Sequence, residues 1–359
     1  MMPLFSRTQK QKVFVGISGG VDSAVSAALL TRAGYDVTGV FIKIQIPGYP
    51  CPAKEDRLDA MRVAAHLNIP FIELDLSQEY QEKVLALSLK EFARGRTPNP
   101  DTLCNREIKF GMFYDFARAR GADFVATGHY AQHKDGHLYV SADEAKDQTY
   151  FLYAIPREAL MHTLFPIGHL SKPKVRALAE QFALPNAKRP DSQGLCFLGD
   201  LSLEALLRKE VGPTPGDVLD EDSNVIGTHV GHALYTLGQR HGFTLYTQSP
   251  VTPILYVTAK DPLANTLTVS ASPLPKDARG VRVELGDCNW LGPAEEAPLM
   301  ARFRYRQKLI PAEQIARSGR SATVELKEPY YMPLGQSLVL YAGSRCLGGG
   351  VIEGATLIP

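Results

Sequence analysis

No run of apolar residues in this 359-residue sequence is long enough to cross a bilayer, which sets aside a helical membrane protein. The stretch from Met1 to Lys12 is polar and basic without an apolar centre, so it lacks the pattern of a secretion signal. Cysteine is scarce. Cys51, Cys104, Cys196, Cys288 and Cys346 are the five copies, and none is paired at zinc-ligand spacing. A structural zinc is therefore not expected, nor is any metal site built directly from protein ligands. With 45% apolar and 21% charged residues the chain can build a large core without a metal or disulfide staple. The default compartment is the cytoplasm, where thiols stay reduced. There is no excess of either charge, because the net charge is +1. A nucleic-acid partner would have to be met by local patches. Internal repeats and low-complexity tracts are absent.

What is present is organised around Ser18-Gly19-Gly20-Val21-Asp22-Ser23. The apolar run Val13–Ile17 before it predicts a buried strand, and Ala24–Leu30 after it predicts a helix. A strand, a glycine turn and a helix N-terminus form an anion site: glycines admit a close phosphate, and the N–H groups and dipole of the first turn favour negative charge. The common phosphate loop needs a Lys and a Ser or Thr after its last glycine, and no Lys stands between Gly16 and Thr31. Asp22 would repel a phosphate unless a cation sits between them, which a magnesium-bridged pyrophosphate would provide. The plainer alternative is a tight turn with Asp22 as a helix cap.

Strands are predicted at Val37–Ile42, Phe71–Leu74 and Asp123–Thr127, and helices at 57–67, 80–92 and 172–182. This alternation implies a doubly wound, mostly parallel α/β sheet with ligands at the carboxyl ends of its strands. An irregular loop, Gly95 to Asn105, carries Asp101 and Cys104 three residues apart. A second glycine-rich stretch, Asp191 to Phe197, carries Cys196. Each thiol alone also fits a small core residue. From about residue 206 prolines and glycines thicken, and from about 275 short alternating runs suggest a small β-barrel. Three domains are expected: residues 1–205, 206–274 and 275–359. In Ala301–Arg306 the period of two puts three arginines on one strand face, a stripe that suits a phosphate backbone or merely solvent.

Taken together, the chain resembles the bacterial tRNA-specific 2-thiouridylases, a family of the ATP pyrophosphatase (PP-loop) superfamily. The markers are Gly16–Ser23, Gly95–Asp101 with Cys104-Asn105, Ala126–Tyr130, Lys146-Asp147-Gln148 with Tyr150-Phe151-Leu152, Asp191–Phe197, Arg304–Gln307 and Cys346–Gly350. The resemblance implies that the wobble uridine of tRNA is 2-thiolated by adenylation of its C2 oxygen and sulfur transfer from a cysteine persulfide. It implies ATP and Mg²⁺, with ATP held by Gly16, Ile17, Ser18, Gly19, Gly20, Val21, Asp22, Ser23, Ile42 and Gly128. Asn99, Pro100 and Asp101 would meet the target base. Lys146, Asp147, Gln148, Arg304 and Tyr305 would contact tRNA. Cys104 and Cys196 would handle sulfur, with Asp101 moving protons, and would pass through a transient Cys104–Cys196 disulfide. A persulfide carrier protein or cysteine desulfurase would supply the sulfur. Segments after Lys43 and after Gly242 depart from the family pattern. Two competitors are a related enzyme adenylating for a nitrogen nucleophile, which needs neither thiol, and a non-catalytic tRNA binder that kept the fold.

Overall fold

The computed structural model describes residues 10–49, 53–191, 202–212, 214–247, 253–272, 274–275, 277–292 and 298–359. Cys51 and Cys196 lie outside them, as does most of the Asp191–Phe197 stretch.

Two apolar runs, β1 (Lys12–Gly16) and β2 (Asp36–Lys43), and the half-buried edge strand β3 (Phe71–Asp75) pair in parallel, and the shorter β4 (Phe124–Ala126) lies on the other side of β1. Counting the hairpin strands β5 (Gln132–Lys134) and β6 (His137–Tyr139), the next strand is β7 (Thr163–Leu164), which pairs in parallel with β4. The order is β3-β2-β1-β4-β7, so the direction of winding reverses at β1. The crevice at such a reversal is where open α/β sheets bind ligands. The stretch Ser18–Ser23 leaves β1 there and enters helix α1 (Val21–Arg32). Val13 and Val15, on one face of β1, pack against Ala24, Val25 and Ala28 of α1, while Phe14 on the other face packs against Ile108 and Phe113. Both faces of the sheet are covered at β1 and β2, which is why these two strands read as continuous apolar runs.

The chain continues into a small five-stranded sheet, β8 (Gly216–Leu219), β9 (Val225–His229), β10 (Thr244–Leu245), β11 (Tyr256–Asp261) and β12 (Thr266–Ser270), around Val218, Tyr235, Val257, Leu267 and Val269. The boundary expected after residue 205 falls inside the helix Leu203–Glu210, whose Leu206 is buried with Tyr80 and Val84 of the first unit. The segment that departs from the family pattern after Lys43 holds this helix: Lys209 Nζ donates to the Gly48 carbonyl at 2.8 Å, and Tyr49 OH donates to Glu210 at 2.5 Å.

The last unit comprises β13 (Gly280–Trp290), β14 (Leu299–Arg302), β15 (Ile310–Ser318), β16 (Ser321–Leu326), β17 (Ser337–Ala342) and β18 (Arg345–Ile358). Pairing of β13 with β18 closes six strands into a barrel, which removes the exposed edges. The β5–β6 hairpin of the first unit pairs onto β18 through Leu138↔Cys346. Val339, Tyr341 and Cys346 share one core with Phe110 and Tyr150, so the barrel and the α/β unit are fused through apolar packing.

The arginine stripe is overturned. Strand β14 ends at Arg302, and Arg306 turns at φ +61. Arg302 points inward to Asp147 at 3.4 Å and over the Tyr341 ring, whereas Arg304 is exposed and donates to the Leu237 carbonyl at 2.9 Å. The alternation was real but short. The turn that Gln307 closes by accepting from Phe303 and Arg304 N–H groups breaks it.

Candidate nucleotide and thiol site

Within the turn, backbone N–H groups are the candidate phosphate donors. Ile17 and Val21 are buried in the core, so only their main chains are available. Gly19 sits at φ +81, and a Cβ there would meet the Asp56 carbonyl at 2.5 Å, so glycine is required. The Gly20 N-cap makes no side-chain cap bond, and the first helical bond is Ala24 N–H to the Gly20 carbonyl at 3.3 Å. The N–H groups of Val21, Asp22 and Ser23 precede it in the first turn. Ser23 Oγ accepts from Ser18 N–H at 3.2 Å and donates to the Gly20 carbonyl at 3.1 Å, which folds the loop on itself. Asn186 Nδ2 donates to the Gly19 carbonyl at 2.6 Å. Gly128, at the end of β4, is packed so tightly that a Cβ would lie 2.6 Å from Ser23 N. Its part is to let β4 support the loop. Ile42 is buried in the core at the end of β2.

A cation already stands on Asp22. Lys172, at the start of the helix Lys172–Gln181, reaches its two carboxylate oxygens at 2.8 and 2.9 Å, and Tyr130 OH donates to Oδ1 at 2.9 Å. Lys172 also meets Asp191 at 2.8 Å, where Lys146 at 2.9 Å and Arg176 converge. Asp191's hydrogen bonds to Lys172 and Lys146, which outweigh its burial, hold that carboxyl far below the usual range, and burial together with the Asp22 charge pushes the Tyr130 phenol far up. Neither Lys172 nor Tyr130 was singled out from sequence for this role. Tyr130 had a signal, since it ends the Gly128-His129-Tyr130 marker. Lys172 had only a helix start. Among the described residues no three His, Cys, Asp or Glu side chains form a metal-sized cluster.

The Gly95–Asn105 loop is pinned to the barrel. Thr97 N–H donates to the Leu334 carbonyl at 2.7 Å, and Arg96 pairs with Glu353 at 2.9 Å. Asn99 caps the helix that begins at Pro100, its Oδ1 accepting from Thr102 N–H at 3.2 Å. Asp101 and Cys104 are one turn apart on that helix, hence on one side of it. Cys104 is fully buried and opens a stretch of wider turns, Cys104–Met112. Such local over-wide helix occurs frequently at functional sites. Cys196, its expected partner, lies outside the described residues.

Of the expected RNA contacts, Asp147 is turned inward. It is 3% exposed, accepts from Ser141 N–H at 3.1 Å and Thr149 Oγ1 at 2.8 Å, and faces Arg302. Burial raises its pKa. A carboxylate facing a polyanion would be repelled, and here it instead fixes the turn that carries Lys146 and Gln148. Gln148 accepts from Tyr130 N–H at 2.9 Å, which links that turn to the loop side of β4. Tyr305 packs against Phe151, ring centroids 4.6 Å apart. His129 is buried, with Nδ1 2.8 Å from Thr127 Oγ1 and Nε2 3.3 Å from Lys109 Nζ. Burial and the Lys109 charge hold its pKa well below 6.5, so the ring is neutral, accepts from the ammonium at Nε2 and donates from Nδ1 to Thr127.

Residues 11–200 match the tRNA methyl transferase HUP domain family, 204–271 the tRNA methyl transferase PRC-barrel domain and 281–352 the aminomethyltransferase beta-barrel domain. A solved NMN synthetase from Francisella tularensis overlaps 58% of this chain and 74% of its own at 18% identity and a TM-score of 0.35, too distant to bear on function. Much nearer in sequence is the tRNA-specific 2-thiouridylase MnmA 2 of Aliarcobacter butzleri, 40% identical over 96% of this chain and 99% of its own. The MnmA 2-thiouridylase of Ralstonia pickettii is 41% identical over 96% and 97%, and that of Lacticaseibacillus paracasei 39% identical over 99% and 97%. With relatives of this similarity along nearly its whole length, the chain belongs to the tRNA-specific 2-thiouridylase family.

Proposed function

We propose that this protein is an ATP-dependent tRNA-uridine 2-sulfurtransferase acting on the wobble uridine. The observation that carries the reading is the near-full-length match to 2-thiouridylases, with Cys104 and Cys196 both present and the turn after β1 open to an anion. Carbonyl C2 of uridine loses its oxygen only once that oxygen has been made a leaving group. ATP, when bound, supplies the adenylyl group for this. The first turn of α1, Gly19 and Gly20 fit its β- and γ-phosphates, and Asp22 is the group that would face an accompanying Mg²⁺.

The remaining steps belong to side chains of this chain. Asn99, Pro100 and Asp101 form a rigid wall against which the unstacked base would lie. Cys196, loaded as a persulfide by a carrier protein or desulfurase, delivers its outer sulfur to C2, and AMP leaves with the former oxygen. Cys104 attacks Cys196 Sγ, breaking the bond to the outer sulfur either after that sulfur has joined C2 or before, which frees it as sulfide, and Asp101 takes the thiol proton. The product is 2-thiouridine and a Cys104–Cys196 disulfide, which a thiol reductant must reopen before the next turnover. Lys146, Gln148, Arg304 and Tyr305 serve as the tRNA grip, with Asp147 behind them.

The test is tRNA-dependent pyrophosphate release coupled to transfer of labelled sulfur. Wild type should release pyrophosphate and AMP, and Asp22→Ala should release neither. Orthophosphate with ADP would refute the adenylation.

A further inference from the structure

We propose that Lys172 is a pyrophosphate-contacting residue of the nucleotide site, the ammonium that exchanges carboxylate partners for phosphate oxygens when ATP binds. The proposal rests on the ATP reading above and adds a residue to it.

Lys172 Nζ lies within 2.9 Å of both oxygens of Asp22, the second residue of α1. It is therefore at the mouth of the turn whose N–H groups would receive the phosphates. Its side chain is 13% exposed and that of Asp22 is 31% exposed, so the pair opens outward through the carboxylate.

The partners around Lys172 leave it replaceable. If its ammonium moves off Asp22, that carboxylate keeps the hydroxyl of Tyr130 at 2.9 Å. If it moves off Asp191, that carboxylate keeps Lys146 at 2.9 Å and Arg176. The cluster sets three cations, Lys146, Lys172 and Arg176, against Asp22, Asp191 and Asp143, whose carboxylate accepts from the Lys172 backbone N–H at 2.9 Å. The Lys172 ammonium sits beside the positive end of α1, where an incoming polyanion is favoured. Lysine suits the task, since a point charge on a flexible stem can follow a phosphate that later departs. The turn itself has no lysine, so this residue supplies from a distant helix the charge that the common phosphate loop carries locally.

The experiment measures equilibrium binding of inorganic pyrophosphate, ATP and AMP to the full-length protein. Lys172→Gln should weaken pyrophosphate and ATP by about 10- to 100-fold, the scale of one charge-assisted hydrogen bond. AMP should change less than about twofold, and Lys172→Arg should recover much of the loss. Unchanged pyrophosphate affinity in Lys172→Gln overturns the proposal, and so does an equal loss for AMP, which would mean a disturbed loop. A second measurement needs no neutral variant: the ¹³C-dimethyl-lysine NMR signal of Lys172, assigned with Lys172→Arg, should move on titration with pyrophosphate and not with AMP. No movement refutes the contact. Failure of the ATP reading would show differently, as wild type that binds no ATP.

Discussion

The side-chain amide of Asn99 donates to Gln336 Oε1 at 3.2 Å, tying the loop that precedes Cys104 to the barrel. Gln336 Oε1 also accepts from Ser337 N–H at 3.1 Å and lies 3.0 Å from Tyr150 OH, so the barrel and the α/β unit meet at one oxygen. Asn99 thus does two separable things. Asn99→Ala removes the helix cap as well and should cost about 1 kcal/mol of stability. Asn99→Asp keeps a capping oxygen but sets a carboxylate against Gln336, so stability should hold while sulfur transfer falls by about 10- to 100-fold through mispositioning of the loop. Chemical denaturation and single-turnover thiolation separate the two effects. Equal activity in Asn99→Asp would mean the tie is dispensable.

Gly128→Ala should act on nucleotide binding through packing. The new Cβ would meet backbone at Ser23 N and Asp22 C, at 2.6 and 2.8 Å, and neither is the end of a flexible chain. Either β4 or the loop must shift, at a cost of about 1–3 kcal/mol. ATP affinity should drop with stability. If ATP affinity is kept, β4 is what gives way.

The α/β unit was legible because its inner strands β1 and β2 are buried on both faces: every expected strand and helix of residues 12–93 is present within a few residues. The barrel strands were legible by alternation, and Val281–Leu285, Thr323–Leu326 and Ser337–Tyr341 each lie within one. What escaped is what joins distant segments. No local pattern marks Lys172 as the partner of Asp22, 150 residues away, or Gln336 as that of Asn99. The arginine stripe misled because alternation over six residues cannot distinguish a strand from a strand followed by a turn. Asp147 is buried between the half-buried Lys146 and Gln148, a difference within one polar triplet that no local pattern marks.

Arg304→Ala tests the RNA grip left after that correction. The residue is exposed, and one guanidinium nitrogen donates to the Leu237 carbonyl. Loss of a phosphate contact should raise the tRNA KM, leave kcat, and flatten the salt dependence of binding by about 1. A change in kcat alone would assign Arg304 to joining the barrel to the central unit.

Acid sensitivity should follow from His129. Its folded pKa is depressed, so the folded ring stays neutral while the unfolded one takes up a proton below about 6.5. Stability from this group is therefore full above the unfolded pKa and falls as pH drops through it, by about 1.4 kcal/mol per pH unit, until the folded pKa is reached. His133 and His229 are depressed by burial and share the sign. Asp56 and Asp147, raised by burial, act oppositely. The difference between wild type and His129→Gln isolates one group: denaturation midpoints should diverge least at pH 5 and most at pH 7.5. A constant difference would mean that His129 does not titrate on unfolding.

Sulfur chemistry should divide the cysteines by environment. Burial pushes the Cys288 thiol up to about 11 and the Cys346 thiol up to about 12, so neither offers a thiolate at neutral pH. Both are packing groups. Cys288 Sγ sits where a Cβ on Gly350 would come within 2.6 Å, and Cys346 shares the core with Tyr341. Cys288→Ala and Cys346→Ala should each cost about 1 kcal/mol and leave sulfur transfer intact. Cys104 is buried too, but it opens the wide-turn segment one helical turn after Asp101, the candidate proton acceptor. Cys104→Ser and Cys196→Ser should therefore each abolish thiolation. Pyrophosphate release should survive in both, since adenylation precedes the thiol steps. Mass spectrometry of stalled enzyme should find the extra sulfur on Cys196, and oxidised wild type should carry the Cys104–Cys196 link. Full thiolation in either serine variant would remove the two-cysteine relay and mean that sulfur reaches C2 by another route.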